Sequence, residues 1–267
     1  MSDLVIKNSF PSELLECDAT ELYKYLSGPT LFHIAGESSE VLFISVLLHG
    51  NEHSGLIAVQ EILKKYSNGQ TLPRSISLLI GNVIAAKENL RVLPDGLDFN
   101  RVWNLQEASP VNWSGQVVDE MKKKNLFACI DIHNNTGINP YYACVNALDV
   151  FSLNLAKSFS DTIVYFLKPS EVCSIEFTKL CPSTTIECGL SNDVNGISRA
   201  SLMIDNALNN SRESFEVEIN WKTLNVFHTV AIIKVPNDCN VAFGDENTNA
   251  DFLFPANFEY FNFSNVD

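Results

Sequence analysis

Apolar positions along the chain fall into two periods. Short, nearly unbroken apolar runs of strand length occur as TLFHIAG (30–36), VLFISVLL (41–48), SISLLIGNV (75–83), LFACIDI (126–132), TIVYFL (162–167) and STTIECG (183–189). Between them lie segments with helical spacing. In SGLIAVQEILKKYS (54–67), Leu56, Val59, Ile62 and Leu63 form one stripe, and SGQVVDEMKKK (114–124), LDVFSLNLAKSF (148–159) and SNDVNGISRASLMIDNALNN (191–210) read as further helices. Asp18 and Glu21 in DATELYKYL give a capping box for a short helix near the start. Strands alternating with helices predict an α/β fold, a mixed and largely parallel sheet with helices on both faces. After residue 212 the pattern changes. FEVEINW (215–221), FHTVAIIKV (227–235) and FLFPANFEYFNF (252–263) are strand-like, which predicts a main domain over 1–212 and a small β-rich domain over 213–267.

Charge and cysteine content narrow the partners. With 18 basic and 32 acidic residues the net charge is −14, which repels nucleic acid and anionic membrane alike, so an anionic substrate would need a local basic cluster. The opening MSDLVIKNSFPSELLECD lacks a secretory pattern, and no apolar run approaches the roughly 18 residues of a membrane span. A soluble, cytoplasmic protein is expected, with homo-oligomerisation left open. The seven cysteines (Cys17, Cys129, Cys144, Cys173, Cys181, Cys188 and Cys239) form no CxxC pair, and several sit in apolar runs. They read as buried thiols in a reducing compartment rather than as a nucleophile, since none adjoins a base.

Four motifs carry chemistry. HGNEHSG (49–55) follows an apolar strand and precedes a helix, where α/β sheets gather their ligands, and its His49 and Glu52 can both aim at one ion. DIHNNTG (131–137) ends another strand. Its His133 supplies a third ligand, leaving a fourth tetrahedral position for water, while Asp131 can orient a ligand imidazole. TTIECG (184–189) places Glu187 at a third strand end, suited to moving the proton of an attacking water. In LDFNRVWN (97–104), Asn100 and Arg101 can fix a carboxylate, and Arg91 upstream is a candidate for stabilising an oxyanion. Asn134, beside His133, is a further candidate substrate contact. His53, at the helix start, and His33 and His228, in apolar runs, are read as structural.

Taken together, HGNE, DFNR, DIHNNTG and TIECG resemble the succinylglutamate desuccinylase and aspartoacylase branch of the zinc carboxypeptidase-like family, over about residues 40–200. The resemblance implies a carboxypeptidase-like three-layer α/β fold with a mixed eight-stranded sheet, one catalytic zinc and a small C-terminal β domain. It also implies zinc on His49, Glu52 and His133, acid–base work at Glu187 and substrate binding at Asn100 and Arg101. Arg91 falls on the upstream arginine if RVLPDGLDFNR holds two extra residues. The basic residue that aspartoacylase carries ahead of its ExG glutamate finds only Lys179, at another spacing, and Tyr260 lies in the region of a C-terminal tyrosine used by some relatives.

Three functions compete. The first is hydrolysis of the amide bond in an N-acyl amino acid or a similar small carboxylate-bearing compound. The second is a metallocarboxypeptidase trimming peptide C-termini. The third, a non-catalytic metal-binding protein, leaves Glu187 without a role. A small pocket closed by residues 213–267 favours the first, and an open cleft the second.

Overall fold

The structure, a computed structural model, describes residues 3–67, 69–104, 112–244, 249–258 and 262–263. Eleven strands are assigned among them: β1 (Val5–Lys7), β2 (Thr30–Ile34), β3 (Gly36–Val46), β4 (Leu72–Ile80), β5 (Leu126–His133), β6 (Tyr142–Val145), β7 (Thr162–Tyr165), β8 (Ser183–Glu187), β9 (Asn225–His228), β10 (Val241–Phe243) and β11 (Phe252–Phe254). The α-helices are α1 (Ser54–Ser67), α2 (Val83–Lys87), α3 (Trp113–Met121), α4 (Val150–Lys157), α5 (Cys173–Thr178) and α6 (Val194–Asn209). The first nine strands form one sheet in the order β1-β2-β4-β3-β5-β8-β6-β7-β9, and β10 pairs with β11 in a second. Only the β2–β4 and β6–β8 pairs are antiparallel in the large sheet. The α/β architecture with a largely parallel sheet is as expected from the periodicities.

The alternation along the central strands divides the core in two. Leu42, Ile44, Ile130 and Ile132 join a cluster beneath α1, α4 and α6. Phe43 and Cys129, one step out of phase, join a second cluster with α3 and α5. Phe43 stacks on Phe177 of α5 with ring centroids 4.1 Å apart. Ser45, Asp131 and His133 share the phase of Phe43 and Cys129, so the polar end of the central strands opens on the α3/α5 side. Apolar burial on both faces fixes this register, because a one-residue slip would exchange the two sets.

Helix starts are set by side-chain caps. Asp149 accepts from Ser152 N ahead of α4, and Asp193 from the Asn195 and Gly196 amides ahead of α6. Asp18 caps a 3-10 helix (Ala19–Lys24) rather than an α-helix, accepting from Thr20 N.

Several expectations are corrected. The large sheet has nine strands rather than eight, with β1 and β9 at its edges. β9, from the late segment, pairs in parallel with β7, so this stretch extends the large sheet. FEVEINW forms no strand. It is bounded by 3-10 helices (Arg212–Phe215 and Trp221–Thr223), with Phe215 and Ile219 buried and Val217 exposed. The Asn154 amide bonds the Phe215 and Val217 carbonyls, holding this segment against α4 instead of in a ladder.

Candidate metal centre and adjoining cavity

Three strand ends build the site. β3 ends at Val46, and the chain turns at Leu47, whose φ of 55° lies in the left-handed region, to enter the loop bearing His49 and Glu52 before α1. Gly50 in that loop is pressed against the Ala85–Ala86 backbone of α2, so the glycine is required by close approach rather than by its φ. β5 ends on His133 and β8 on Glu187, and these residues are register partners in the parallel pair. Beyond β8, Gly189 has φ 73°, turning the chain towards α6.

His49, Glu52 and His133 are 3%, 4% and 3% exposed and converge on one point. His49 Nδ1 lies 2.8 Å from Glu52 Oε1, His133 Nδ1 is 2.7 Å from Glu52 Oε2, and the two Nδ1 atoms are 3.2 Å apart. The opposite ring nitrogens meet carboxylates: His133 Nε2 is 3.0 Å from Asp131 Oδ2, and His49 Nε2 is 3.1 Å from Asp98 Oδ1. With the rings neutral, each carboxylate takes an Nε2–H and leaves the Nδ1 lone pair facing inwards. Two imidazole lone pairs and a carboxylate in mutual contact require a positive charge between them: without an ion the protonated His133 ring supplies it, and the donor set suits zinc.

The electrostatics agree. Burial works against a charged His133 imidazole, yet the carboxylates of Asp131 and Glu52 outweigh it and hold the ring well above its ordinary value. Burial raises Glu52 too, and His133 and His49 overcome it, bringing the carboxyl down to about 2. At Asp98 burial is likewise overcome, chiefly by His49, and its carboxyl sits below the usual range. Glu187 behaves oppositely. Burial, with Glu52 and Asp131 adding to it against the pull of His133, pushes it up to about 7. Its Oε2 is shielded from solvent and has no hydrogen-bond partner among the described residues.

A cavity of about 160 Å³ adjoins these groups, lined by the three converging residues, Glu187, Arg91, Asn100, Arg101 and Asn134, among others. Arg91 NH1 contacts Glu52 Oε1 at 3.1 Å and is 42% exposed, at the rim. The Asn100 amide serves the scaffold: its Oδ1 accepts from Cys173 N at 2.9 Å. Arg101, exposed, donates to the Asn100 carbonyl. The Asn134 side chain binds Ser54 and the carbonyls of Gly189 and Leu190, tying the start of α1 to the loop after β8. The structure therefore brings all the candidate residues to one cavity, with the amides of Asn100 and Asn134 engaged in holding its walls. His53 Nε2 meets the Gly50 carbonyl and His33 meets Ser77, both away from the converging group. Tyr260 lies outside the described residues.

Two residues escaped the sequence reading. Asp98 carries His49, and its signal is the Asx turn by which its Oδ1 also takes Asn100 N at 2.8 Å. Ser45 donates to Asp131 Oδ1 at 2.5 Å, and a serine two strand positions before the chain leaves β3 gives no such hint. Asp98→Ala is expected to weaken zinc binding roughly 10–100-fold, measured by competition with a chromogenic chelator.

Comparison with known proteins follows the same lines. Residues 39–147 match the family described as the succinylglutamate desuccinylase/aspartoacylase catalytic domain, a stretch holding His49, Glu52 and His133. The chain resembles this branch of the zinc carboxypeptidase-like proteins. The succinylglutamate desuccinylase from Chromobacterium violaceum superposes with a TM-score of 0.60 at 16% identity, covering 81% of this chain and 73% of that one. That from Vibrio parahaemolyticus gives 0.62 at 15% identity, over 79% and 69%. A metallo-carboxypeptidase from Burkholderia cenocepacia gives 0.51 at 14%, over 67% of this chain and 59% of that one. At these identities the likeness to the branch's solved structures is one of fold. No curated protein sequence matches the chain significantly. No helix among the described residues is long and apolar enough to cross a membrane.

Proposed function

We propose that the protein hydrolyses the amide bond of an N-acyl amino acid or a similar small carboxylate-bearing compound, with one zinc ion on His49, Glu52 and His133. The observation that carries this reading is Glu187. A buried carboxylate oxygen with no partner, at the end of the strand beside His133, has no structural use and is placed for a proton. His49, Glu52 and His133 would hold the zinc, which when bound would supply a Lewis acid able to polarise a carbonyl and make water nucleophilic near neutral pH.

The chain's residues do the rest. Glu187 takes a proton as the water oxygen bonds to the amide carbon and the carbonyl electron pair moves onto oxygen. It then delivers that proton to the nitrogen as the C–N bond breaks, releasing an amine and a carboxylic acid, which gives up its own proton to the amine or to solvent. Arg91, at the rim beside Glu52, supplies positive charge towards the developing oxyanion. Arg101 binds the substrate carboxylate through its guanidinium fork. Asp98 and Asp131 hold the two imidazoles in place.

A metallocarboxypeptidase acting on peptide C-termini is the second reading. One observation favours it: among the described residues, none from 213–267 lines the cavity, Phe263 packing instead on Tyr142 beside it. Free cysteines throughout suit a reducing, cytoplasmic setting. The test is to load the purified protein with zinc, measure bound metal, and screen N-acyl amino acids against short peptides. No bound metal and no gain on adding zinc would overturn the proposal.

Arg101→Lys is expected to raise KM roughly 10–100-fold with metal content unchanged, because an ammonium cannot reproduce a forked contact. Initial rates over a substrate series check this. An unaltered KM for every carboxylate-bearing substrate would make Arg101 a structural residue.

A further inference from the structure

The cavity has two chemically different ends. At the rim stand the exposed guanidiniums of Arg91 and Arg101. At the other end lie Cys144 and Thr185, 8% and 7% exposed. These two are register partners in the antiparallel pair of β6 with β8, where Tyr142 faces Glu187. Cys144 and Thr185 therefore sit two residues deeper along the strands than Glu187, on its face of the sheet. Phe166, whose N–H bonds the carbonyl of Val145 next to Cys144, lines the same end.

Among the described residues no cation lines this end. Lys168 and Lys179 are exposed and outside the lining, and Lys179 is paired with Glu176. The nearest charges are carboxylates, Glu187 in the lining and Asp131 opposite Thr185 in the register. A carboxylate entering here would be desolvated without a partner and repelled, which costs far more than any packing it could gain.

We propose that the Cys144–Thr185 end is the acyl subsite and admits only a short, uncharged acyl group, with Cys144 and Phe166 setting its length. The proposal rests on the amide-hydrolase reading above and gives it a substrate class. An amino acid released by hydrolysis carries a carboxylate, so its half of the substrate must lie at the arginine rim. The acyl half then occupies the neutral end. With about 160 Å³ for the whole cavity, well below the roughly 300–1,000 Å³ of sites for drug-sized ligands, the group is short.

The experiment compares N-acetyl, N-butyryl and N-succinyl derivatives of one amino acid with the zinc-loaded full chain. It is paired with calorimetric titration of the same compounds into metal-free protein. The acetyl compound is expected to exceed the succinyl one at least about 100-fold in kcat/KM, with the same order in binding. Cys144→Ala and Phe166→Ala should each raise the butyryl-to-acetyl ratio roughly tenfold without loss of zinc. Equal or better use of the succinyl compound, or a ratio unmoved in both variants, would overturn the acyl-subsite assignment while leaving an amide hydrolase. Hydrolysis of N-succinyl alkylamines but not of N-acetyl amino acids would reverse the orientation and also overturn it. Inactivity towards every amide at full zinc occupancy would instead defeat the hydrolase reading itself.

Discussion

Glu187→Gln is expected to lower kcat roughly 10²–10⁴-fold while KM and zinc content stay near those of the parent protein. The amide is nearly isosteric with the carboxyl, so the shape of the cavity is kept, but it cannot accept the proton of the attacking water. If turnover were unchanged, Glu187 would be a bystander at a strand end. If zinc were lost, it would be a ligand. A second readout needs no substrate. Burial holds the Glu187 carboxyl near 7 in the folded protein against the ordinary 4.5. The folded state therefore binds the extra proton between these values, and stability falls as pH rises from 4.5 through 7. The cost at pH 8 is up to about 3 kcal/mol, which the glutamine variant does not carry. Metal-free Glu187→Gln should then melt higher than the parent at pH 8 and alike at pH 4, as followed by calorimetry.

Removing a ligand has the other large effect. His133→Ala is expected to abolish zinc binding and activity together, measured by elemental analysis and turnover on one preparation. The loss extends to stability, because Asp131 is fully buried and its Oδ2 faces the His133 ring. A buried charge stripped of its partner costs about 3–5 kcal/mol, and the parent also gains about 4 kcal/mol when free zinc is 1,000-fold above its Kd. His133→Gln, whose amide nitrogen can take the place of Nε2 facing Asp131, separates the two effects: it should lose the metal while recovering part of the folding stability. His53→Ala, outside the converging group, should keep both zinc and activity. Retention of zinc by His133→Ala would remove the basis of the proposed centre.

The converging histidines and Glu187 were legible because each closes an apolar strand, and strand ends are where α/β sheets present polar groups. Asp98 was overlooked because it approaches His49 across 49 positions of chain, from a loop whose conformation has no periodic signature. Asn100 reads as a substrate contact because Arg101 follows it, and Asn134 because it follows His133. Which way their amides point depends on Cys173, Ser54 and the 189–190 loop, and none of these contacts is local. The late segment misled for a related reason. F-E-V-E-I-N-W alternates as a strand should, but the Asn154 side chain occupies the Phe215 and Val217 carbonyls that a neighbouring strand would need. A period of two licenses a strand only where a partner edge exists.

The strand order also governs the sequence of events during synthesis. β8 lies between β5 and β6, although it leaves the ribosome after both β6 and β7. Until residue 187 emerges, the β1–β5 half and the β6–β7 pair have no strand to join them. The first half nevertheless already carries His49, Glu52 and His133. Insertion of β8 unites the two halves and delivers Glu187 in one step, so a growing chain completes its proposed set of metal ligands before it has the residue proposed to move the proton.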